Sequence, residues 1–150
     1  MKTAKKPPLY KKASNELQLI NQSWEHMPDG SMSFLLCHDL KECLLNLMQC
    51  FIQLKKGKPS KSKDIAHLVS ECAKIDKRFN KIDLRWFSCK EHEQSVKSDV
   101  FCYSADRVKA CTWIANGIKR ILDAELKKAA VALTSLLPFV DFALDIIEWA

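Results

Sequence analysis

Apolar residues return every three or four positions along residues 13–122, the repeat of an amphipathic helix rather than of a strand. Only three glycines occur in the whole chain (Gly30, Gly57 and Gly117), whereas a β-rich fold of this length needs many tight-turn residues. An all-α fold is therefore expected. A first helix is read over residues 13–25, with Leu17, Ile20 and Trp24 on one face. A second, over residues 32–54, aligns Phe34, Cys37, Leu40, Leu44, Leu47, Met48 and Phe51. Leu36, Leu45 and Ile52 widen that stripe, as contact on more than one side of a central helix requires.

Punctuation supports these limits. Ser31 or Ser33 can cap the second helix by accepting a first-turn N–H, and Gly57-Lys58-Pro59 can close it. Asp64 is placed to cap a third helix over residues 65–81, whose buried stripe is Ile65, Leu68, Val69, Cys72, Ile75 and Phe79. Lys74, Lys77 and Lys81 fall on its opposite face. A fourth helix, over residues 105–122 and capped by Ser104, is expected to bury Val108, Cys111, Trp113, Ile114, Ile118, Ile121 and Leu122. The connection between the third and fourth is long for a bundle, and long ordered connections carry function disproportionately.

The 150 residues suffice for one domain with a substantial core. Residues 1–12 read as a flexible basic arm in which Pro7-Pro8 opposes helix. Residues 13–122 form the bundle, and residues 123–150 a C-terminal extension. The apolar positions Leu133, Leu136, Leu137, Val140, Leu144 and Ile147 make part of that extension an additional amphipathic helix, started or kinked near Pro138. Asp141, Asp145 and Glu148 argue against its crossing a bilayer. Seven cysteines are present, but no C-x-x-C pair anchors a zinc site. Cys37, Cys43, Cys50, Cys72 and Cys111 sit among apolar residues, where free cysteine acts as a small hydrophobe. No metal or cofactor is expected. Residues 1–12 lack the apolar core of a secretion signal, so a reducing cytoplasm is the expected compartment.

Four stretches, taken in order, resemble the HEPN family of small all-α domains. Phe34-Leu-Leu-Cys-His-Asp-Leu-Lys-Glu-Cys-Leu-Leu-Asn-Leu-Met is similar to that family's long second helix. Gly57-Lys-Pro-Ser-Lys-Ser-Lys-Asp-Ile-Ala-His-Leu resembles its glycine turn into a capped helix, with Asp64 and His67 in altered order. Phe101-Cys-Tyr-Ser-Ala-Asp106 resembles the aromatic element opening the last core helix, which residues 107–122 match in length and apolar pattern. The resemblance implies an up-and-down four-helix bundle, a homodimer, and a place in toxin–antitoxin, defence or nucleotide-handling systems. It also implies a nucleotidyltransferase-type or antitoxin partner protein.

Many members are metal-independent ribonucleases built on an arginine and a histidine with four to six residues between them. Arg85 and His92 stand in the corresponding gap with six residues between them. A guanidinium can hold a scissile phosphate with a fork of donors, and an imidazole titrating near neutrality can take the 2′-hydroxyl proton. Trp86 follows Arg85 where active members carry a small polar residue, which favours a module that binds nucleotide, RNA or a partner protein over the nuclease. The formal net charge of +6 is uneven, and Lys55, Lys56, Lys58, Lys61 and Lys63 cluster after the long helix. With Trp86 they form the expected nucleic-acid-binding set. A third reading is a non-catalytic scaffold that docks through its C-terminal helix. His38 is expected to be solvated on the polar face of the second helix, and His67 to be a partly buried packing residue.

Overall fold

The computed structural model describes residues 9–26, 33–82 and 105–136. These residues are all helical or connecting, with no strand among them. The elements are α1 (Tyr10–His26), α2 (Ser33–Lys56), α3 (Ile65–Ile75), a 3-10 turn (Lys77–Lys81) and α4 (Ala105–Leu136). The expected caps Ser31 and Ser104 lie outside the described residues, and Ser33 is the first residue of α2.

The long second helix is central, as its wide stripe implies. It packs against α1, α3 and α4, and Leu36, Leu40, Leu44, Leu47, Met48, Phe51 and Ile52 are all buried. α1 contributes Ala13, Leu17, Ile20 and Trp24, and α4 contributes Val108, Cys111, Ala115, Ile118 and Leu122. Cys37, Cys43, Cys50, Cys72 and Cys111 are thiols outside any disulfide and are buried in this core. Burial pushes the thiols of Cys43, Cys50 and Cys72 up to about 12, so they stay protonated and unreactive.

α1 and α4 run in opposite directions, because their partners descend one helix as they climb the other. Tyr10 meets Asp123, Asn21 meets Asn116, and Trp24 meets Thr112. α2 and α3 do not alternate in this way. Asp64 lies close enough to influence Lys41, Cys72 Sγ faces the Met48 carbonyl, and Asp76 feels the charge of Lys55. These pairs ascend together, so α3 runs alongside α2 in the same direction, against the strict up-and-down expectation. The physical enabler is residues 57–64, eight residues that span up to roughly 26 Å when extended. That reach is enough to retrace about 15 residues of α2 at about 1.5 Å each.

Three helix ends differ from the sequence expectation by three residues or more. α1 begins at Tyr10, inside the stretch read as a flexible arm, because Leu9 and Tyr10 pack against the core and Tyr10 Oη donates to Asp123. The third helix stops at Ile75, not residue 81, because Asp76 adopts an extended backbone (φ −143°, ψ 123°) and its carboxylate accepts the Arg78 N–H. A side chain that satisfies a nearby backbone donor competes with the helical ladder. The resulting turn still delivers Phe79 to the core, its ring 4.8 Å from that of Phe51. The fourth helix continues past Leu122 to Leu136, a run of 32 residues. Residues 123–136 contain neither glycine nor proline, and nothing local stops the helix.

Candidate functional site

The lysine-bearing loop after α2 is held from within. Gly57 takes the left-handed conformation (φ 81°) that releases the chain from α2. Gln49 on α2 then grips the returning strand of chain. Its Nε2 donates to the Ser60 and Ser62 carbonyls at 3.0 and 2.9 Å, and its Oε1 accepts the Ser60 N–H at 2.8 Å. Ser60 Oγ donates to Glu71 at 2.8 Å, tying the loop to α3 as well. Asp64 caps α3 as expected, accepting the His67 N–H at 2.9 Å. With the backbone so engaged, Lys56, Lys58, Lys61 and Lys63 are left exposed.

Beside this loop lies an ionic knot. Glu125 of α4 is 7% exposed and faces cations from three directions. Lys55, at the end of α2, bonds its Oε1, and Arg78 of the 3-10 turn and Lys128 of α4 approach Oε2 at 3.2 and 3.1 Å. Arg78 is shared, because its guanidinium also grips Asp76 at 2.6 Å. Burial alone would push the Glu125 carboxyl up, but Lys55, Lys128 and Arg78 outweigh it and hold the group below the usual range. The hydrogen bond from Arg78 carries Asp76 down to about 2. Three cations surround two carboxylates here, and the neighbouring Lys56, Lys77 and Lys127 are exposed. This end of the bundle is basic.

Of the expected nucleic-acid set, Lys58, Lys61 and Lys63 share one exposed loop and Lys56 ends α2 just before it, also exposed, while Lys55 is committed to Glu125. Arg85, Trp86 and His92 lie outside the described residues. His67 proves to be exposed and paired with Glu71 at 2.8 Å instead of packed. It sits on the outer face of α3, one turn before its acidic partner. His38 is exposed, as expected. Glu125 and Arg78 are the residues that pattern reading missed. A glutamate placed among Ile118, Leu122 and Leu126 on one face of α4 was the available signal.

The opposite side of α4 carries a different surface. Trp113, expected in the core, is 70% exposed and lines an open cleft of about 660 Å³ with Asn116, Lys119, Arg120 and Asp123. Three buried positions nearby, Val108, Cys111 and Ala115, already fill the inward face, and Trp113 falls outside their arc. Among the described residues no group of three or more His, Cys, Asp or Glu side chains could hold a metal ion. No helix among them is long and apolar enough to cross a membrane. No protein-family model, curated protein or solved structure matches the chain.

Proposed function

We propose that the chain is a HEPN-like helical module that binds RNA through the lysines of the loop that runs back along α2 and through the basic bundle end from which that loop departs. The observation that carries this reading is the exposure of Lys58, Lys61 and Lys63 on a loop held by Gln49 and Glu71, with Lys56 exposed at the end of α2 and the Lys55–Arg78–Lys128 knot next to it. A loop whose backbone is already ordered loses little conformational freedom on meeting a phosphate chain. Ammonium groups on such a surface gain affinity by releasing condensed counterions, which is why phosphate backbones are the fitting ligand. The Glu125 carboxylate neutralises the inner cations and leaves the outer lysines for the ligand. The order of helices along the chain and the central α2 support the HEPN likeness, whereas the parallel course of α3 along α2 departs from its up-and-down bundle.

The test is a binding isotherm on a labelled single-stranded RNA. If Lys56 and the three loop lysines each meet a phosphate, raising salt from 50 to 200 mM weakens binding about 50-fold, from a slope of roughly −0.7 per contact. Replacing Lys56, Lys58, Lys61 and Lys63 together by glutamate should abolish binding and leave the thermal melt in place. Salt-independent affinity, or full affinity in the quadruple variant, overturns the reading.

A further inference from the structure

We infer that the exposed face of α4 from Lys109 to Lys127 is a track for single-stranded nucleic acid, with Trp113 as its base-stacking platform. This rests on the RNA-binding reading above and specifies the form of the ligand. At 100° per residue, Lys109, Trp113, Asn116, Arg120 and Lys127 fall within one narrow arc of the helix surface. Lys109, Trp113, Arg120 and Lys127 are all exposed. Lys109 is further positioned by its ammonium lying 5.6 Å from the centre of the Trp24 ring. The one carboxylate lining the cleft, Asp123, accepts from Tyr10 Oη at 2.6 Å and from Lys119 Nζ at 2.8 Å, so its charge is answered within the protein. What faces solvent along the arc is a flat indole flanked by cations.

That combination fits a strand with unstacked bases. An indole offers a π-face that any base can cover, while ammonium and guanidinium groups on either side follow the phosphates. A duplex keeps its bases stacked inside and cannot use Trp113. A second copy of this chain, face to face, would oppose Lys109 to Arg120 and bring like charges together. A protein partner is a poorer fit, because the side chains around Trp113 are Asn116, Lys119, Arg120 and Asp123 instead of an apolar surround. The track runs about 22 Å from Trp113 to Lys128, where it meets the ionic knot, so one strand can touch both regions.

The experiment compares a 16-nucleotide oligouridylate with an RNA duplex of equal length, by fluorescence anisotropy, on the full chain and on Trp113→Ala, Trp113→Phe and the triple Lys109→Ala/Arg120→Ala/Lys127→Ala variant. Trp113→Ala should weaken oligouridylate binding about 5- to 150-fold, the range for losing one stacked base. Trp113→Phe should restore most of that loss, duplex binding should not change, and the melting temperature of each variant should match the parent. The triple variant should flatten the salt slope by about 2. Unchanged oligouridylate affinity in Trp113→Ala overturns the track while leaving the basic loop's role intact. So does duplex binding as tight as single-strand binding, or loss of a dimer in Trp113→Ala by gel filtration. No salt-sensitive binding of either probe by the parent removes the RNA-binding reading itself.

Discussion

α4 meets its neighbours through two polar seams that work differently. Against α1 the seam is a ladder of hydrogen bonds, most of them between uncharged groups. Trp24 Nε1 donates to Thr112 Oγ1 at 3.0 Å, Thr112 donates onward to the Val108 carbonyl, and Asn21 and Asn116 exchange amide bonds at 2.9 and 3.0 Å. Against α2 and the 3-10 turn the seam is the charged knot of Lys55, Arg78, Lys128 and Glu125. Neutral hydrogen-bonded pairs, buried or half-buried, specify a register and are insensitive to pH. A buried carboxylate among cations is held by its charge, and its contribution disappears when that charge does.

The largest effect should come from the knot. Glu125→Ala removes the carboxylate shared by three partly exposed cations and should cost about 1.5–3 kcal/mol at pH 7, read by urea denaturation. The sign of the pH dependence follows from the lowered Glu125 and Asp76 carboxyls. Both release their protons more readily folded than unfolded, so their stabilisation is full above about pH 4.5 and declines as pH falls through their folded values, toward about 2 for Asp76. The penalty of Glu125→Ala should therefore shrink between pH 5 and pH 2. A constant penalty across that window breaks the comparison.

Next in size is the ladder. Thr112→Val strands the buried Trp24 indole N–H and should cost about 1–3 kcal/mol, equally at pH 3 and pH 7. A pH-dependent cost would mean that the two seams are coupled. Smaller, and of opposite sign, is Gly117→Ala. A Cβ at Gly117 meets nothing within 4 Å, so relief of glycine's entropy cost in mid-helix should raise stability by about 0.5–1 kcal/mol. Smallest of all is the pair Lys12–Glu42, whose side chains are 57% and 51% exposed, and Glu42→Gln should change the urea midpoint hardly at all.

Much of the helical layout was legible because helical faces are local. The stripes of α1, α2 and α3 follow the period of the apolar residues, and Asp64 and Gly57 act where a cap and a release are needed. The errors share a different origin. Asp76 breaks α3 because its carboxylate reaches Arg78, and Trp113 lies outside because Val108, Cys111 and Ala115 already fill the inward arc. Glu125 could not be read as a hub from its own neighbourhood. Its partners Lys55 and Arg78 are 70 and 47 positions away (125 − 55 and 125 − 78).

Periodicity and glycine scarcity by themselves determined that this chain folds as helices, that α2 is the central one, and that five cysteines are buried as hydrophobes. Tertiary structure alone decided that α3 runs with α2, that Arg78 and Lys128 join Lys55 on Glu125, and that Trp113 faces water. The reason is one of range. Turn-by-turn preferences depend on residues within about four positions, whereas the direction of a helix and the company of a buried charge depend on which distant segment the chain folds back to meet.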